Sequence, residues 1–436
     1  MIGRNRLKKS ILMLALLFLS AASIVASGGG GGDPSVSVTI TSFSPAGGGV
    51  GGTVTITGTG FSTTPANNAV AFNGTAAVVT SCTSTEIVTT VPSGATTGPI
   101  TVTVGGHTAT STTSFTVTSP LAFGGYWFGT TNVACYWAGT TRVDLSDDTH
   151  NALAFSPTFN SGGTVYTAGQ YSPDNVTGTA CYWAGTTRVD LDSNGLDGTA
   201  VAVVVDGGTV YTAGGLYNAQ TFATYPCYWA GTTRVDLPGG AGNSAAALAL
   251  AVSGGTVYTS GIWYDGAKYV PCYWAGTART DLAGDGAHEA FANAIAVSGG
   301  TVYTAGYYSN GTKKIPCYWV GTTRTDLAGG DATHDAYVYG IAVSGGTVYT
   351  SGSWWNGTKL TPCYWVGATR IDLAGGDATN DAQALTITLV GGTVYTAGYW
   401  SNGTIETACY WAGTTRTDLG DGVHDSRVQT GYEWFD

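Results

Sequence analysis

Residues 294–335 read AIAVSGG TVYTAGYYSNG TKKIPCYWVGT TRTDLAGGDATHD, and this stretch decides the fold of the chain. Its runs are rich in β-branched and aromatic residues, which favour strands. They end at turn signals, namely Ser-Gly-Gly, Asn-Gly, Val-Gly-Thr and a longer loop of Gly and Asp. The stretch therefore predicts four short strands joined by turns.

The same unit occurs seven times. The tripeptide Cys-Tyr-Trp recurs at spacings of 45 or 46 residues, beginning at Cys135, Cys181, Cys227, Cys272, Cys317, Cys363 and Cys409. Four strands in a unit of this length are typical of a β-propeller blade. We predict an all-β chain in which residues 121–436 form a seven-bladed β-propeller of four-stranded blades of ~45 residues. A β-solenoid is the alternative, although its coils are usually shorter.

The two ends of the repeat predict how the ring closes. The first unit lacks its first strand and starts near Ala122 with AFGGYW, whereas the chain ends in SRVQTGYEWFD after the seventh unit. Pairing of that last segment with the first blade would complete seven sheets and hide both edges. The blades loosely resemble kelch-like and other short-repeat bacterial propellers.

A different pattern precedes the repeat. Runs such as SVSVTITSF, GTVTITGTGF and GPITVTVGG fill residues 36–118 between Gly, Pro and Asn turns, which predicts an immunoglobulin-like sandwich. The segment resembles the IPT/TIG domain, and the resemblance implies an extracellular spacer or a ligand-binding module. The residues that carry it are Ile40, Phe43, Pro45, Val54-Thr-Ile-Thr-Gly58, Gly60-Phe61, Val70, Phe72-Asn73-Gly74 and Val91-Pro92.

The start of the chain resembles an export signal. A basic stretch, MIGRNRLKKS, is followed by an apolar run to Val25 and by small residues at Ala26-Ser27. The run is shorter than the ~20 residues that span a bilayer, so we predict a cleaved signal peptide at 1–27, a Gly-rich linker at 28–35 and no transmembrane segment. Ser27 stands where a lipoprotein signal has its lipidated Cys, which favours a secreted, periplasmic or cell-surface bacterial protein.

Composition and charge restrict the partners. Only 10% of the residues are charged, 43% are hydrophobic and 67 are Gly, which fits short strands joined by tight turns. Four of the 16 Lys and Arg lie in the predicted signal, so the processed chain would carry 12 cations against 27 anions, a net charge of −15. We therefore expect no nucleic-acid partner, and we expect a monomer.

The eight cysteines do not predict disulfides. Seven lie at the same place in successive blades, and facing sheets pack about 10 Å apart, whereas a disulfide needs Cα atoms within about 7 Å. We expect free thiols buried between blades. Separated thiols cannot supply the ligands of one zinc ion either.

A second repeated motif is Arg-x-Asp on the fourth strand of every unit, from Arg142/Asp144 to Arg416/Asp418. Because residues two apart lie on one face of a strand, we expect a structural ion pair. A pair repeated seven times cannot single out one active site.

The loop that enters most units carries acidic residues and often a histidine, as in Asp147–His150, Asp285/His288, Asp331/His334 and Asp421/His424. We expect Asx turns and backbone caps, with no cofactor and no metal. Calcium is the alternative, because oxygen-rich loops bind it.

The candidate ligand-binding residues lie at the ends of the second strands, and in the hairpins that follow, of three consecutive units. Alternation would send one aromatic residue of each pair into the blade interface and the other outward. Packing alone is one interpretation, and a contact surface for sugars or peptides is the other. The lysines would form the only positive surface and attract an acidic polysaccharide or another anionic ligand. These residues are Trp263, Tyr264, Lys268, Tyr307, Tyr308, Lys313, Lys314, Trp354, Trp355 and Lys359.

No nucleophile beside a base and no phosphate-binding loop stands out of the repeat background. We predict a secreted or cell-surface bacterial binding protein, in which the propeller binds an extracellular carbohydrate or protein ligand and the IPT/TIG module is a spacer. An extracellular carbohydrate-active enzyme, a lyase or glycosidase using the propeller channel, is one alternative, and a structural surface protein is another. A carboxylate or histidine that breaks the sevenfold repeat would favour the enzyme.

Overall fold

A computed structural model of the chain describes residues 37–430, except residues 50–51, 93–94, 96, 118–120, 160–163, 240–243, 330–332, 376–378 and 391. The predicted signal peptide and linker lie outside the described residues. Within the described part the only helical element is the 3₁₀ turn Pro65–Asn67. No helix there is long and apolar enough to cross a bilayer.

The first nine strands form two sheets. They are β1 (Thr39–Ser44), β2 (Gly47–Gly48), β3 (Thr53–Thr59), β4 (Ala69–Phe72), β5 (Thr75–Ala77), β6 (Val79–Cys82), β7 (Glu86–Thr90), β8 (Gly98–Val104) and β9 (His107–Val117). One sheet has the order β1-β3-β7-β6 and the other β2-β9-β8-β4-β5. Ile56 and Ile87 of the first sheet and Phe72 and Phe115 of the second are fully buried in one core. This is the predicted immunoglobulin-like sandwich.

Gly58 shows why the motif VTITGTGF contains its first glycine. A Cβ atom at this position would lie 1.9 Å from the Thr39 carbonyl oxygen and 2.5 Å from the Phe61 ring. Any larger residue would therefore push β1 away from β3.

The other strands form seven four-stranded antiparallel sheets, which we number as blades 1 to 7. Blade 1 contains β10 (Ala122–Phe128), β11 (Asn132–Ala138), β12 (Thr141–Asp144) and β37 (Ser426–Val428); blade 2 contains β13 (Ala152–Phe159), β14 (Val165–Tyr171), β15 (Thr179–Ala184) and β16 (Thr187–Asp190). Blade 3 contains β17 (Asp197–Asp206), β18 (Thr209–Asn218), β19 (Ala223–Ala230) and β20 (Thr233–Asp236); blade 4 contains β21 (Ala245–Ser253), β22 (Thr256–Tyr264), β23 (Tyr269–Ala275) and β24 (Ala278–Asp281). Blade 5 contains β25 (Ala290–Ser298), β26 (Thr301–Ser309), β27 (Lys314–Val320) and β28 (Thr323–Asp326); blade 6 contains β29 (Ala336–Ser344), β30 (Thr347–Trp355), β31 (Leu360–Val366) and β32 (Thr369–Asp372). Blade 7 contains β33 (Ala382–Val390), β34 (Thr393–Ser401), β35 (Glu406–Ala412) and β36 (Thr415–Asp418).

The blades form a ring that the C-terminal strand closes. The first strands of blades 2 to 7 contact one another in succession, so they lie nearest the centre of the ring. β37 supplies the first strand of blade 1 by pairing with β10, with Gly125 opposite Val428. Val428 is fully buried with Phe123 of blade 1 and Ala397 of blade 7. The predicted closure is confirmed over residues 426–428, and residues 431–436 lie outside the described part.

A β-bulge interrupts the first strand at the same place in blades 3 to 7 and one residue later in blade 2. Next to it, the second strand carries a glycine at Gly169, Gly214, Gly261, Gly306, Gly352 and Gly398. A Cβ atom on Gly306 would lie 1.9 Å from the Phe291 carbonyl oxygen. The close approach of the two strands therefore explains why this glycine repeats.

Buried tryptophans join each blade to the preceding one. In six blades the indole Nε1 donates a hydrogen bond of 2.8–3.1 Å to a carbonyl oxygen of the preceding blade. The bond from Trp137 to the Leu419 carbonyl joins blade 1 to blade 7. Trp183 differs from the other six, because its buried Nε1 has no partner among the described residues.

The repeated cysteines are buried between the blades. All seven have no exposed surface, and none is bonded to another cysteine. Burial raises the pKa of these thiols above the ordinary value, as for Cys363. Cys82 in the sandwich is half-buried and accepts a 3.5 Å hydrogen bond from Asn68 Nδ2. The prediction of buried free thiols in the blades agrees with this geometry.

Candidate functional site

The hairpin after each second strand and the loop that enters each blade lie on the same rim of the propeller, which we call the hairpin rim. In blade 5 the Ser309 N–H donates to the Glu289 carbonyl oxygen at 2.9 Å, and in blade 6 the Trp355 N–H donates to the Asp335 carbonyl oxygen at 2.8 Å. Aromatic and acidic residues therefore share this rim.

In six of the seven blades, all but blade 3, one aromatic residue of the second strand packs on the Arg-x-Asp pair of its own blade. In blade 6 the Arg370 guanidinium lies 4.1 Å from the centre of the Trp354 ring, and Trp354 Nε1 donates to Asp372 Oδ1 at 3.1 Å. Equivalent arginine contacts involve Trp127, Tyr171, Trp263, Tyr308 and Trp400. In all seven blades the Arg Nε lies 2.7–2.9 Å from the Asp Oδ1 atom. These pairs are structural, as predicted.

This packing divides the predicted aromatic residues into two sets. Trp263, Tyr308 and Trp354 belong to the arginine contacts just described. Tyr307 and Trp355 occupy the opposite face of their strands and line a cavity, while the Tyr264 ring lies 5.5 Å from that of Tyr269. Alternation thus separates the members of each pair, as predicted.

The main cavity has a volume of about 680 Å³ and lies at the hairpin rim between blades 4 to 7 and the closing strand of blade 1. Its wall contains five aromatic rings in successive contact, which we call the aromatic arc. The centroid distances are 5.8 Å for Tyr269–Phe291, 4.9 Å for Phe291–Tyr307, 5.1 Å for Tyr307–Tyr337 and 6.2 Å for Tyr337–Tyr339. The arc spans three blades.

One cross-strand pair in each blade explains why the cavity is asymmetric; we call it the mouth pair. Its two members lie opposite each other, one on the first strand and one on the second. The first-strand member comes two residues after the residue that opens the blade, as Phe291 comes after Glu289 in blade 5 and pairs with Tyr307. From blade 1 to blade 7 the mouth pairs are Arg427–Tyr126, Leu153–Gln170, Thr199–Gly215, Ala246–Ile262, Phe291–Tyr307, Tyr337–Ser353 and Gln383–Tyr399. Large aromatic and polar residues are thus concentrated in blades 5, 6, 7 and 1.

The charges that line the cavity are balanced. Glu289 and Asp335 are acidic, and Lys314 and Arg427 are basic. Lys314 Nζ pairs with Glu289, and the Lys314 backbone N–H donates to Asp335 Oδ1 at 2.6 Å. Two anions and two cations leave no net charge among these four side chains.

Arg427 has a further partner outside the cavity lining. Its guanidinium pairs with Glu406 and lies 4.2 Å from the centre of the Tyr399 ring. Burial by itself would lower the pKa of Arg427, but the hydrogen bonds to Glu406 raise that pKa above its ordinary value. The side chain therefore stays charged where it lines the cavity.

Glu289 breaks the sevenfold repeat. In the other six blades the equivalent residue is Asn151, Asp197, Ser244, Asp335, Asp381 or Asp425, whose side chain accepts a backbone N–H from the third strand of the preceding blade. Glu289 instead pairs with Lys314 of its own blade. A carboxylate that does not cap the neighbouring blade is thus present at the cavity.

The predicted lysines occupy different surroundings. Lys314 lines the main cavity and Lys268 lines a smaller one. Lys268 Nζ lies 3.0 Å from Asp265 Oδ2, so at least two of the four lysines, Lys268 and Lys314, are paired with carboxylates. Lys313 and Lys359 line neither of these two cavities. The predicted positive arc is therefore partly neutralised within its own hairpins.

The acidic loops form turns. Asp285 Oδ1 accepts the backbone N–H groups of Ala287 and His288, and Asp421 Oδ1 accepts those of Val423 and His424. The hydrogen bond between the His288 ring and Asp285 Oδ2, followed by the backbone N–H bonds, lowers the pKa of Asp285 to about 2. Within the described ranges no group of three acidic, His or Cys side chains could hold a metal ion. Asp331 and Asp377 lie outside those ranges, so the expectation of no metal stays a prediction and calcium stays its alternative.

Sequence reasoning missed the residues that first strands bring to the cavity, above all Phe291, Tyr337, Gln383 and Arg427. A signal for them was present, because each lies two residues after the acidic residue that opens its blade. In blades 2 and 4 the same offset leads to Leu153 and Ala246. Variation at one fixed position of an otherwise regular repeat marks the cavity.

Comparison with known proteins identifies part of the chain. Residues 38–118 match the IPT/TIG domain family, which confirms that resemblance for the sandwich. No curated protein matches the chain in sequence.

The solved structures similar to the chain include a Bacteroides thetaiotaomicron protein of unknown function, at 13% identity and a TM-score of 0.43, covering 84% of this chain and 96% of that one. An auxiliary nutrient binding protein from the same species has 13% identity and a TM-score of 0.33, with the same coverage. The Aleuria aurantia lectin has 14% identity and a TM-score of 0.36, covering 64% of this chain and 95% of its own. The fold assignment rests on the sheets described above and not on these likenesses.

Proposed function

We propose that the chain is a binding protein whose propeller holds a carbohydrate in the main cavity. The observation that carries this proposal is the aromatic arc, which lines a cavity of about 680 Å³ on one side of a ring that is otherwise regular. Ligand sites are commonly clefts of about 300–1,000 Å³ lined by aromatic side chains and a few polar groups. The cavity has both the size and the lining of such a site.

The chemistry of the lining favours a sugar. Pyranose rings have apolar C–H faces and polar edges, and the flat rings of Tyr and Phe can cover the former. Glu289, Asp335, Gln383 and Arg427 supply acceptors and donors for hydroxyl groups around the same cavity. Because the lining charges are balanced, we propose a neutral glycan in preference to the anionic one suggested by the lysines.

A glycan array followed by titration calorimetry tests the proposal. Tyr337→Ala and Phe291→Ala should each weaken binding of an array hit by about tenfold or more, since aromatic anchors dominate binding energy. Leu153→Ala is the matched control, because Leu153 occupies the same strand position in blade 2 and does not line the cavity. Equal binding by all four proteins, or no binding to any neutral glycan, would contradict the proposal.

An extracellular lyase or glycosidase is the second candidate, and Glu289 favours it. This carboxylate lies at the cavity and is released from the capping role of its six counterparts. Incubation with an array hit should then produce shorter oligosaccharides, visible by mass spectrometry, and Glu289→Gln should abolish them. If the oligosaccharide is not shortened, the chain does not cleave it, and binding alone is the proposed function.

The location, the role of the IPT/TIG domain and the oligomeric state are part of the same proposal. We propose an exported bacterial protein, secreted, periplasmic or on the cell surface, with the IPT/TIG domain as a spacer and a monomeric propeller related to the kelch-like type. The basic stretch and apolar run at the start of the chain support export. Fractionation of cells that express the full chain tests the location, and sedimentation tests the monomer.

A further inference from the structure

A second, smaller cavity lies between blades 4 and 5. It has a volume of about 270 Å³, and Tyr269 lines both this cavity and the main one. Tyr269 begins β23, and its ring contacts Phe291 of the aromatic arc at 5.8 Å. The two cavities therefore share a wall at the end of the arc.

The smaller cavity combines an apolar floor with polar edges. Pro271 and Leu282 are buried beneath it, and Lys268 and His288 stand at its sides. Both side chains are held in place by acids of their own turns, Lys268 by Asp265 at 3.0 Å and His288 Nδ1 by Asp285 at 2.5 Å. A group that enters the cavity thus meets an apolar base and polar atoms at its edge, as in the main cavity.

The small volume of the second cavity indicates that it extends the main site and is not a separate ligand site. Independent ligand pockets commonly start at about 300 Å³, and this cavity is slightly smaller. Because Tyr269 belongs to both linings, a ligand that continued beyond the aromatic arc at this ring would reach Lys268 and His288. A single sugar unit would not need both cavities, whereas a chain of linked units would.

We propose that the ligand is an oligosaccharide, and that the cavity between blades 4 and 5 is a second subsite that holds a further sugar unit of the same chain. This inference rests on the proposed function of the main cavity. It defines the ligand class as a polymer of sugars that runs outward from the centre of the ring along the interface of blades 4 and 5.

Titration calorimetry with neutral β-linked gluco-, manno- and chito-oligosaccharides of increasing length tests the second subsite. For a series that binds, affinity should rise by about tenfold when the chain becomes long enough to enter the second cavity, which corresponds to about 1.4 kcal/mol. Ala283→Trp should remove this increase and leave the affinity for short oligosaccharides unchanged. Ala283 is suitable because its side chain is exposed and lines the second cavity.

The repeat supplies matched controls. Ala328 is the equivalent exposed residue of blade 5 and lines neither cavity, so Ala328→Trp should leave the dependence on chain length intact. Lys268→Ala is a second test with a smaller expected effect, and Lys313→Ala is its matched control. Neither variant adds a bulky side chain, so the result does not depend on whether the fold accommodates an added tryptophan. Equal affinity for short and long chains, or an increase that persists in both Ala283→Trp and Lys268→Ala, would overturn the second subsite and leave the main site standing. No binding by any oligosaccharide would overturn the proposed function itself.

Discussion

Blades 4 and 5 are alike in their third strands and different at the hairpin rim. The third strands read YVPCYWA and KIPCYWV, and both bury their Cys and Trp side chains completely. The mouth pairs of the same blades are Ala246–Ile262 and Phe291–Tyr307. The contacts between blades thus use the same residues, whereas the lining of the cavity does not.

The difference has a physical reason. Each blade must fit two neighbours, so a change of side chain in an interface creates a void or a clash there. At the mouth a side chain faces open space on one side and can change in size without displacing a neighbouring blade. We expect changes in the interfaces to alter stability and changes at the mouth to alter binding.

The largest loss of stability should follow deletion of residues 426–436. This removes the pairing of β37 with β10 and the fully buried Val428. Burying one valine contributes about 1.5–3 kcal/mol, and the deletion also exposes the edge of β10. We expect a melting temperature lower by at least about 2 °C and aggregation on heating, followed by circular dichroism and light scattering. A soluble deletion variant with an unchanged melting curve would show that the ring does not depend on this strand.

The thiols of the interfaces should be protected in the folded protein. The thiolate is the reactive form of cysteine, and burial raises the pKa of the seven blade thiols. Without reductant, a maleimide should label at most the half-buried Cys82 in native protein and all eight cysteines in denaturant, as counted by mass spectrometry. Fewer than eight labels in denaturant would reveal disulfides.

A smaller effect should distinguish two tryptophans of the same repeat. Trp274 Nε1 donates to the Pro238 carbonyl oxygen at 3.1 Å, whereas Trp183 Nε1 has no partner among the described residues. Trp274→Phe and Trp183→Phe remove the same part of the ring, so their packing losses should be similar. Urea unfolding should show Trp274→Phe to be less stable than Trp183→Phe by about 1 kcal/mol, the net value of one hydrogen bond. Equal losses would mean that the bond between blades contributes nothing.

The smallest effect on stability is expected from Asp285, in a turn of the hairpin rim. The pKa of Asp285 is lowered to about 2 by hydrogen bonds from His288 and Ala287. Because the folded pKa lies below the unfolded one, this contribution is present above about pH 4 and is lost as the pH falls toward 2. Asp285→Asn should therefore lower stability slightly at pH 7 and not at pH 2, as measured by urea unfolding. An equal difference at both pH values would contradict this account.

Much of the fold could be predicted because the signals are local and repeated. The spacing of Cys-Tyr-Trp, the turn residues and the unmatched end SRVQTGYEWFD were enough for seven blades and their closure. The candidate site was predicted less well. Tyr307, Lys314 and Trp355 do line the cavity, but Trp263, Tyr308 and Trp354 pack on arginines. Aromatic residues next to each other in the sequence could not be assigned to a face before their register with the first strand was known.

By itself, the sequence determined the strand content, the number of blades, the buried thiols and the Arg-Asp pairs, since each depends on residues close together or on a repeat that every blade shares. Only the tertiary structure decided where a ligand can enter. The cavity combines Tyr269, Phe291, Tyr337 and Arg427 from four different blades. Arg427 reaches it because the last strand of the chain completes the first blade. The varied residues at one position of the repeat mark which side chains take part, but the blades that become neighbours around the ring decide that these side chains line one cavity.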